Sequence, residues 1–160
     1  MKISPSRKRS IAGFSLIEAI FTIAIIGIMS SIVVVAITSA TRDANRIVAR
    51  QQQATLNGAL QAWVMGNMQI TAGANAGQWR SLEDLRSQYN ATGTTMARFL
   101  LISPDVGDGY LDPGTRQHFL DNTINSNRLE TAALKSARQH LTLPNWVAGE
   151  FPKAMLVDNF

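Results

Sequence analysis

Glu18 is the residue whose type and position most need a chemical explanation. It is followed by 23 residues without a charge, from Ala19 to Thr41, most of them apolar. A carboxylate in such a segment costs several kcal/mol unless it reaches the headgroup region or finds a partner, and ionisable residues there are functional as a rule. Glu18 is therefore the leading candidate for a functional residue.

Three aspartates form the second candidate site. Asp105, Asp108 and Asp112 lie in PDVGDGYLDPGT, where glycine and proline bend the chain. Carboxylates on such a loop could supply oxygen ligands to Ca²⁺, but the spacing is not that of an EF-hand and no bidentate glutamate closes it. We expect a solvated turn, with calcium as the alternative, since Asp112-Pro113-Gly114 is adequate turn chemistry by itself.

No catalytic motif is found in the sequence. It lacks a phosphate-binding loop, a glycine-flanked serine and a paired-histidine zinc motif. His118 and His140 are isolated, and each is expected to be a surface or partly buried side chain. The chain has no cysteine, which excludes disulfides and thiolate chemistry. We therefore expect neither an enzyme nor a bound cofactor.

The uncharged segment is long enough to cross a membrane. As a helix its 23 residues would extend about 35 Å, and the hydrocarbon core of a bilayer is roughly 30 Å thick. No proline or glycine cluster interrupts the chain between Thr41 and Gly58. The helix should therefore continue beyond the membrane, with an apolar stripe for packing. The stripe consists of Ala49, Leu56, Leu60 and Trp63.

Basic residues are concentrated at the N-terminus. Lys2, Arg7, Lys8 and Arg9 lie in residues 1–13, which hold no acid; the rest of the chain has 15 − 4 = 11 basic and 11 acidic side chains. Basic residues ahead of a span keep that end in the cytoplasm, so the C-terminal body should be extracytoplasmic. A neutral body with few aromatics is not expected to bind nucleic acid strongly.

These observations divide the chain into four segments. Residues 1–13 are a leader, 14–41 a transmembrane helix, 42–65 its amphipathic continuation and 66–160 a small globular body. We expect an α+β fold in which one long N-terminal helix packs on the body. Within the body, the predicted elements are helices over 81–89, 94–102 and 127–139, a loop over 104–114, and strands over 141–143 and 155–157.

The N-terminal residues resemble a known signal. A basic leader, Gly13, then Phe14-Ser15-Leu16-Ile17-Glu18-Ala19 is similar to the class III signal of type IV prepilins and type II secretion pseudopilins. The resemblance covers residues 1 to about 41 closely and says little about the body. Many pilins have a proline in mid-span and a C-terminal disulfide, both absent here, which favours a pseudopilin-like or minor subunit.

The resemblance implies a processing and assembly route. A prepilin peptidase would cut between Gly13 and Phe14 and methylate the new amine of Phe14. An ATPase and an inner-membrane platform would then draw the helix into a filament with other pilin or pseudopilin subunits. In that filament Glu18 would meet the Phe14 amine of a neighbour and help to fix the register of the subunits.

Two other functions are open. Thr38-Ser39-Ala40 offers small residues for cleavage of an ordinary signal peptide before Thr41, which would release an exported binding protein. The chain could also be a single-pass anchored binding module. The first of these leaves Glu18 unexplained.

Overall fold

Five helices and a two-stranded sheet make up the described part of the chain. The structure, a computed structural model, describes residues 15–69, 76–104 and 109–159. In chain order the elements are α1 (Leu16–Asn67), α2 (Leu82–Ala91), α3 (Thr95–Ile102), α4 (Pro113–Asn122), α5 (Ala132–Ala137), β1 (Gln139–Thr142) and β2 (Met155–Asp158). The predicted mixture of helix and strand, with one long N-terminal helix and a small C-terminal body, is confirmed.

Helix α1 is 52 residues long. The chain divides into two compact units between Ala40 and Thr41, so the first part of α1 belongs to one unit and the rest to the other. No proline interrupts α1, so every turn after the first can complete its backbone hydrogen bonds. The predicted apolar stripe is confirmed, because its members are buried together with two neighbours at helical spacing. The buried residues of α1 are Ala49, Leu56, Ala59, Leu60, Trp63 and Val64.

The C-terminal end of α1 is fixed by a close approach of Tyr110. A Cβ at Gly66 would collide with the Tyr110 ring, so only glycine fits there without a shift. The Asn67 side-chain amide donates to the Trp63 carbonyl at 2.9 Å and to the Tyr110 hydroxyl at 3.2 Å. The helix therefore ends where the sequence becomes rich in glycine, two residues beyond the predicted end.

The short helices of the body begin at polar caps. The side chains of Ser81, Thr94, Asp112 and Thr131 each accept a hydrogen bond from the backbone N–H three residues on, which satisfies a donor that the helix leaves unpaired. The predicted helices beginning at Ser81 and Thr94 are confirmed as α2 and α3.

Helix α4 was not predicted. It begins at Pro113, so the predicted loop over 104–114 is wrong at residues 113 and 114. Asp112 caps it and Pro113 is its first residue, a position that suits proline because no N–H is needed there. The sequence Asp-Pro-Gly is common in turns as well as at helix starts, and the prediction of a turn at residues 112–114 was wrong.

The predicted helix over 127–139 is too long. Leu129 is extended and pairs with Leu141 through backbone bonds of 2.7 and 3.0 Å, so α5 covers only Ala132–Ala137. The long-range pairing replaces the local helical bonds that the residue types alone would have favoured.

The two predicted strands are confirmed with shifted ends. β1 and β2 are antiparallel, with Leu141 opposite Leu156 and His140 opposite Val157. Leu129 extends the other edge of β1 by one bridge. The sheet is small, and Leu141 is its fully buried residue.

Aromatic rings occupy the centre of the core in the second unit. The Trp63 and Tyr89 ring centroids are 6.1 Å apart, and those of Tyr89 and Trp146 are 6.3 Å apart with the ring planes nearly perpendicular. Phe99 and Phe119 form a further pair at 5.5 Å. Such tilted contacts add to the free energy gained by burial, and they join α1 to α2 and α3 to α4.

Candidate functional site

Glu18 lies in the first turn of α1 and forms a reciprocal pair of hydrogen bonds with Ser15. The Ser15 backbone N–H donates to Glu18 Oε2 at 3.1 Å, and the Ser15 hydroxyl lies 3.1 Å from the same oxygen. In return the Glu18 backbone N–H donates to Ser15 Oγ at 3.3 Å. This arrangement is a capping box, which pairs two backbone donors that an α-helix leaves free at its N-terminus.

The capping box gives Glu18 a local role that the sequence analysis missed. A carboxylate at a helix N-terminus is also favoured by the helix dipole. The signal was present, since Ser15-Leu16-Ile17-Glu18 is the S-x-x-E pattern of such boxes. Hydrogen bonds from neutral donors do not cancel a charge, however, and both bonds to the carboxylate use Oε2.

The segment after Glu18 is apolar and exposed on every face. Large side chains that point in different directions around the helix, such as Ile23, Ile25, Ile26 and Val35, are each more than half exposed. None of the most apolar 18-residue window is buried. By length and composition this helix could cross a membrane or serve as a signal sequence.

Hydroxyl side chains in this segment bond to the helix backbone. Thr22 Oγ1 donates to the Glu18 carbonyl at 2.7 Å, Ser31 Oγ to the Ile28 carbonyl at 2.7 Å, and Thr38 Oγ1 to the Val34 carbonyl at 2.8 Å. A hydroxyl satisfied within its own helix costs little in an apolar medium. These residues therefore do not prevent the helix from being covered by lipid or by other helices.

Four of the five other predicted site residues lie outside the described part of the chain. Gly13 and Phe14, predicted to flank the cleavage point, lie outside the described residues, as do Asp105 and Asp108 of the predicted calcium loop. Asp112 is described, and its Oδ2 accepts from the Thr115 N–H at 2.8 Å as the cap of α4. That backbone bond holds the pKa of the Asp112 carboxyl below its ordinary value.

The described residues contain no cluster of three or more histidine, aspartate and glutamate side chains that could hold a metal ion. His118 is exposed on α4 and His140 is partly buried in β1, as predicted. His140 Nδ1 contacts the side-chain oxygen of Asn159.

Polar side chains of α1 hold the C-terminal region, a role the sequence analysis did not assign. Both backbone groups of Ala154 bond to side chains of α1. The Gln53 side-chain amide donates to the Ala154 carbonyl at 2.9 Å, and the Ala154 N–H donates to Asn57 Oδ1 at 2.7 Å. Gln53 and Asn57 are four residues apart and so lie on one helix face. The amphipathic half of α1 is therefore a scaffold for the body.

Arg98 is a buried cation that also serves the body. It is 6% exposed, donates to the Leu143 carbonyl at 2.5 Å and to the Asn145 side chain, and lies 5.2 Å from the Tyr89 ring centroid. These contacts tie α3 to the segment after β1. A buried cation held by carbonyl oxygens and an aromatic face has a structural explanation.

No family model, curated protein or solved structure matches this chain.

Proposed function

We propose that this chain is a structural subunit, without enzymatic activity, of a type II secretion pseudopilus or a type IV pilus-like filament. The observation that carries the proposal is the placement of Glu18. It is an exposed carboxylate in the first turn of a helix whose next 23 residues are uncharged.

The exposed apolar segment of α1 supports a role in which the helix moves from a lipid bilayer into contact with other helices. A helix that is apolar on all sides needs lipid or protein around it. In a membrane, lipid covers it; in a filament, the same segments of neighbouring subunits would cover one another. A helix of this kind can pass from one environment to the other without refolding.

Glu18 would select the register in which subunits pack. After cleavage between Gly13 and Phe14, the new α-amine lies four residues before Glu18, and the capping box survives because all its atoms belong to Ser15 and Glu18. Oε1 can then accept from the Phe14 amine of a neighbour. In a low-dielectric bundle an unpaired charge is costly, so a stagger that pairs the two groups is preferred over others.

The proposed topology follows from the basic leader, and the proposed partners follow from the resemblance to prepilins and pseudopilins. The N-terminus is cytoplasmic and the body extracytoplasmic, with a single pass through the inner membrane. A prepilin peptidase removes residues 1–13 and methylates Phe14. A membrane platform and its ATPase then move the helix into the filament beside other pilin or pseudopilin subunits.

Two measurements test this function. Intact mass of the mature protein should show the loss of residues 1–13 and the addition of a methyl group. Filament yield should fall at least tenfold in Glu18→Ala, because several kcal/mol of pairing are lost and each 1.4 kcal/mol is about a factor of ten.

Glu18→Gln separates the two roles of the side chain. Glutamine can replace glutamate in a capping box but carries no charge for an amine. We expect Glu18→Gln to assemble as poorly as Glu18→Ala while its helix content stays at the wild-type level. Normal filaments from Glu18→Gln would leave helix capping as the only role of Glu18 and remove the register argument.

An exported protein with an ordinary signal peptide is the second candidate. It is favoured by the boundary between the two compact units, which falls between Ala40 and Thr41, the same bond at which a signal peptidase would cut after Thr38-Ser39-Ala40. N-terminal sequencing distinguishes the candidates, because a mature protein beginning at Thr41 has no filament-forming helix.

A further inference from the structure

Three arginines line one cavity in the second unit. It has a volume of about 150 Å³ and is bordered by Arg42 and Arg46 of α1, by Ser136 and Ala137 of α5, and by Arg138. No acidic side chain is among these lining residues. The cavity has room for several water molecules, and its walls provide guanidinium groups and a hydroxyl. Its chemistry suits an anion.

Arg138 occupies a backbone position that does not favour arginine. It follows α5 in the left-handed conformation, with φ 57° and ψ 44°, and it is the one non-glycine residue with positive φ in the described segments. Glycine or asparagine normally fills this position after a helix, because a larger side chain is strained there. Lys135 already places a cation in the last turn of α5, so interaction with the helix dipole does not by itself explain Arg138. Strain of this kind points to a use for the side chain.

The two α1 arginines lie immediately after the uncharged segment. Arg42 is the first charged residue after Thr41, and Arg46 is one turn farther, about 6 Å along the helix. If the segment crosses a bilayer, both lie at the depth of the lipid headgroups. Asp43 lies 3.9 Å from Arg46, and both side chains are well exposed, so this ion pair competes only weakly with another anion.

We propose that this cavity binds the phosphate of an anionic phospholipid headgroup. Guanidinium groups bind phosphate through paired hydrogen bonds, and basic pockets beside a membrane span are sites for anionic headgroups. The proposal requires that α1 lies in a bilayer but not that the chain polymerises. It can therefore fail while the filament proposal stands, and the reverse.

The test measures lipid retention by the full chain in detergent micelles. Native mass spectrometry would compare phosphatidylglycerol with phosphatidylcholine at equal concentration, with phosphatidylglycerol expected to be retained several-fold more. Arg46→Gln and Arg138→Gly should each weaken phosphatidylglycerol binding about fivefold, the value of one arginine near an anionic surface. Arg50→Gln is the matched control, because Arg50 is one turn beyond Arg46 and does not line the cavity.

Arg138→Gly distinguishes binding from support of the fold. Glycine relieves the strain at positive φ, so the thermal midpoint of this variant should be equal to or above the wild-type value while lipid retention falls. Equal losses in Arg50→Gln and Arg46→Gln would mean diffuse attraction and overturn the site, as would unchanged retention in Arg138→Gly. Displacement of the lipid by inorganic phosphate at equal concentration would instead make this a site for free phosphate.

Discussion

Tyr89 is a buried titratable residue at the centre of the core. Its ring lies between Trp63 and Trp146, and its side chain is fully buried. Its hydroxyl has no hydrogen-bond partner among the described residues. Burial raises the pKa of the Tyr89 phenol to about 12, and nearby Arg98 offsets only part of that effect. The neutral phenol is therefore the form that the fold requires.

The stability of the body should consequently fall at high pH. Below about pH 10 the phenol is protonated in both states, so its contribution is complete; above it the unfolded chain loses the proton that the folded chain keeps until about pH 12. The free energy of unfolding should drop by up to about 1.4 kcal/mol per pH unit in this interval. Urea unfolding of the full chain in micelles, followed by tryptophan fluorescence, measures it.

Tyr89→Phe is the matched control for this titration. Phenylalanine keeps the ring contacts and removes the unpaired hydroxyl, so at neutral pH we expect a free energy of unfolding that is unchanged or higher by up to about 1 kcal/mol. The excess loss between about pH 10 and pH 12 should disappear. If both proteins lose stability equally with pH, other groups carry the effect.

At the scale of elements, Thr131 joins α5 to α1. Thr131 is fully buried, and its hydroxyl accepts from the Leu134 N–H at 3.3 Å while donating to Gln52 Oε1 at 2.9 Å. One hydroxyl thus caps a six-residue helix and fixes it to the scaffold helix. A helix this short is not stable alone and depends on such contacts.

Thr131→Val should destabilise the body by about 2 kcal/mol, because it removes a cap and leaves buried polar groups without partners. Thr131→Ser keeps the hydroxyl and loses one methyl group, so it should cost about 1 kcal/mol or less. Urea unfolding of both variants provides the measurement. Equal losses in the two variants would mean that packing, rather than the hydroxyl, holds α5.

Prediction from the sequence succeeded where the deciding information was local. The stripe on α1 follows from helical period, and the caps at Ser81 and Thr94 act on residues three positions away. It failed at Asp112, whose local chemistry suits a turn and a helix start equally, and at Leu129, which pairs with Leu141 across the intervening helix.

For the functional residues, too, the sequence indicates those that depend on local pattern and not those that depend on distant contacts. Glu18 is a candidate from the sequence alone, because a single charge at the start of a long apolar segment is visible without a structure. The contacts of Gln53 and Asn57 with Ala154 span about 100 residues, and no local pattern indicates them. The arginine cavity likewise depends on Arg138 lying near Arg42 and Arg46.

At the scale of the whole molecule, the two units differ in what covers their apolar residues. The buried hydrophobic residues of the described chain begin at Ala49, whereas large apolar side chains from Leu16 to Ile37 are exposed. The second unit therefore has a core of its own, whereas the described part of the N-terminal unit leaves a large apolar surface exposed, as interaction sites do.

A chain beginning at Thr41 should accordingly fold in water without detergent. It keeps the α1 residues that contribute to the core, together with Gln52, Gln53 and Asn57, whose side chains bond to the C-terminal region. Its thermal midpoint should lie within a few degrees of that of the full chain in micelles, because tolerance of a truncation depends on the burial and hydrogen bonding of what is removed.

A chain beginning at Gln61 is the control for this prediction. It should remain unfolded by near-ultraviolet circular dichroism, because it loses four of the six buried α1 residues, Ala49, Leu56, Ala59 and Leu60. If the chain beginning at Thr41 also lacked fixed tertiary structure, the body would need its N-terminal unit to fold, and α1 could not serve as an anchor that changes its surroundings independently of the body.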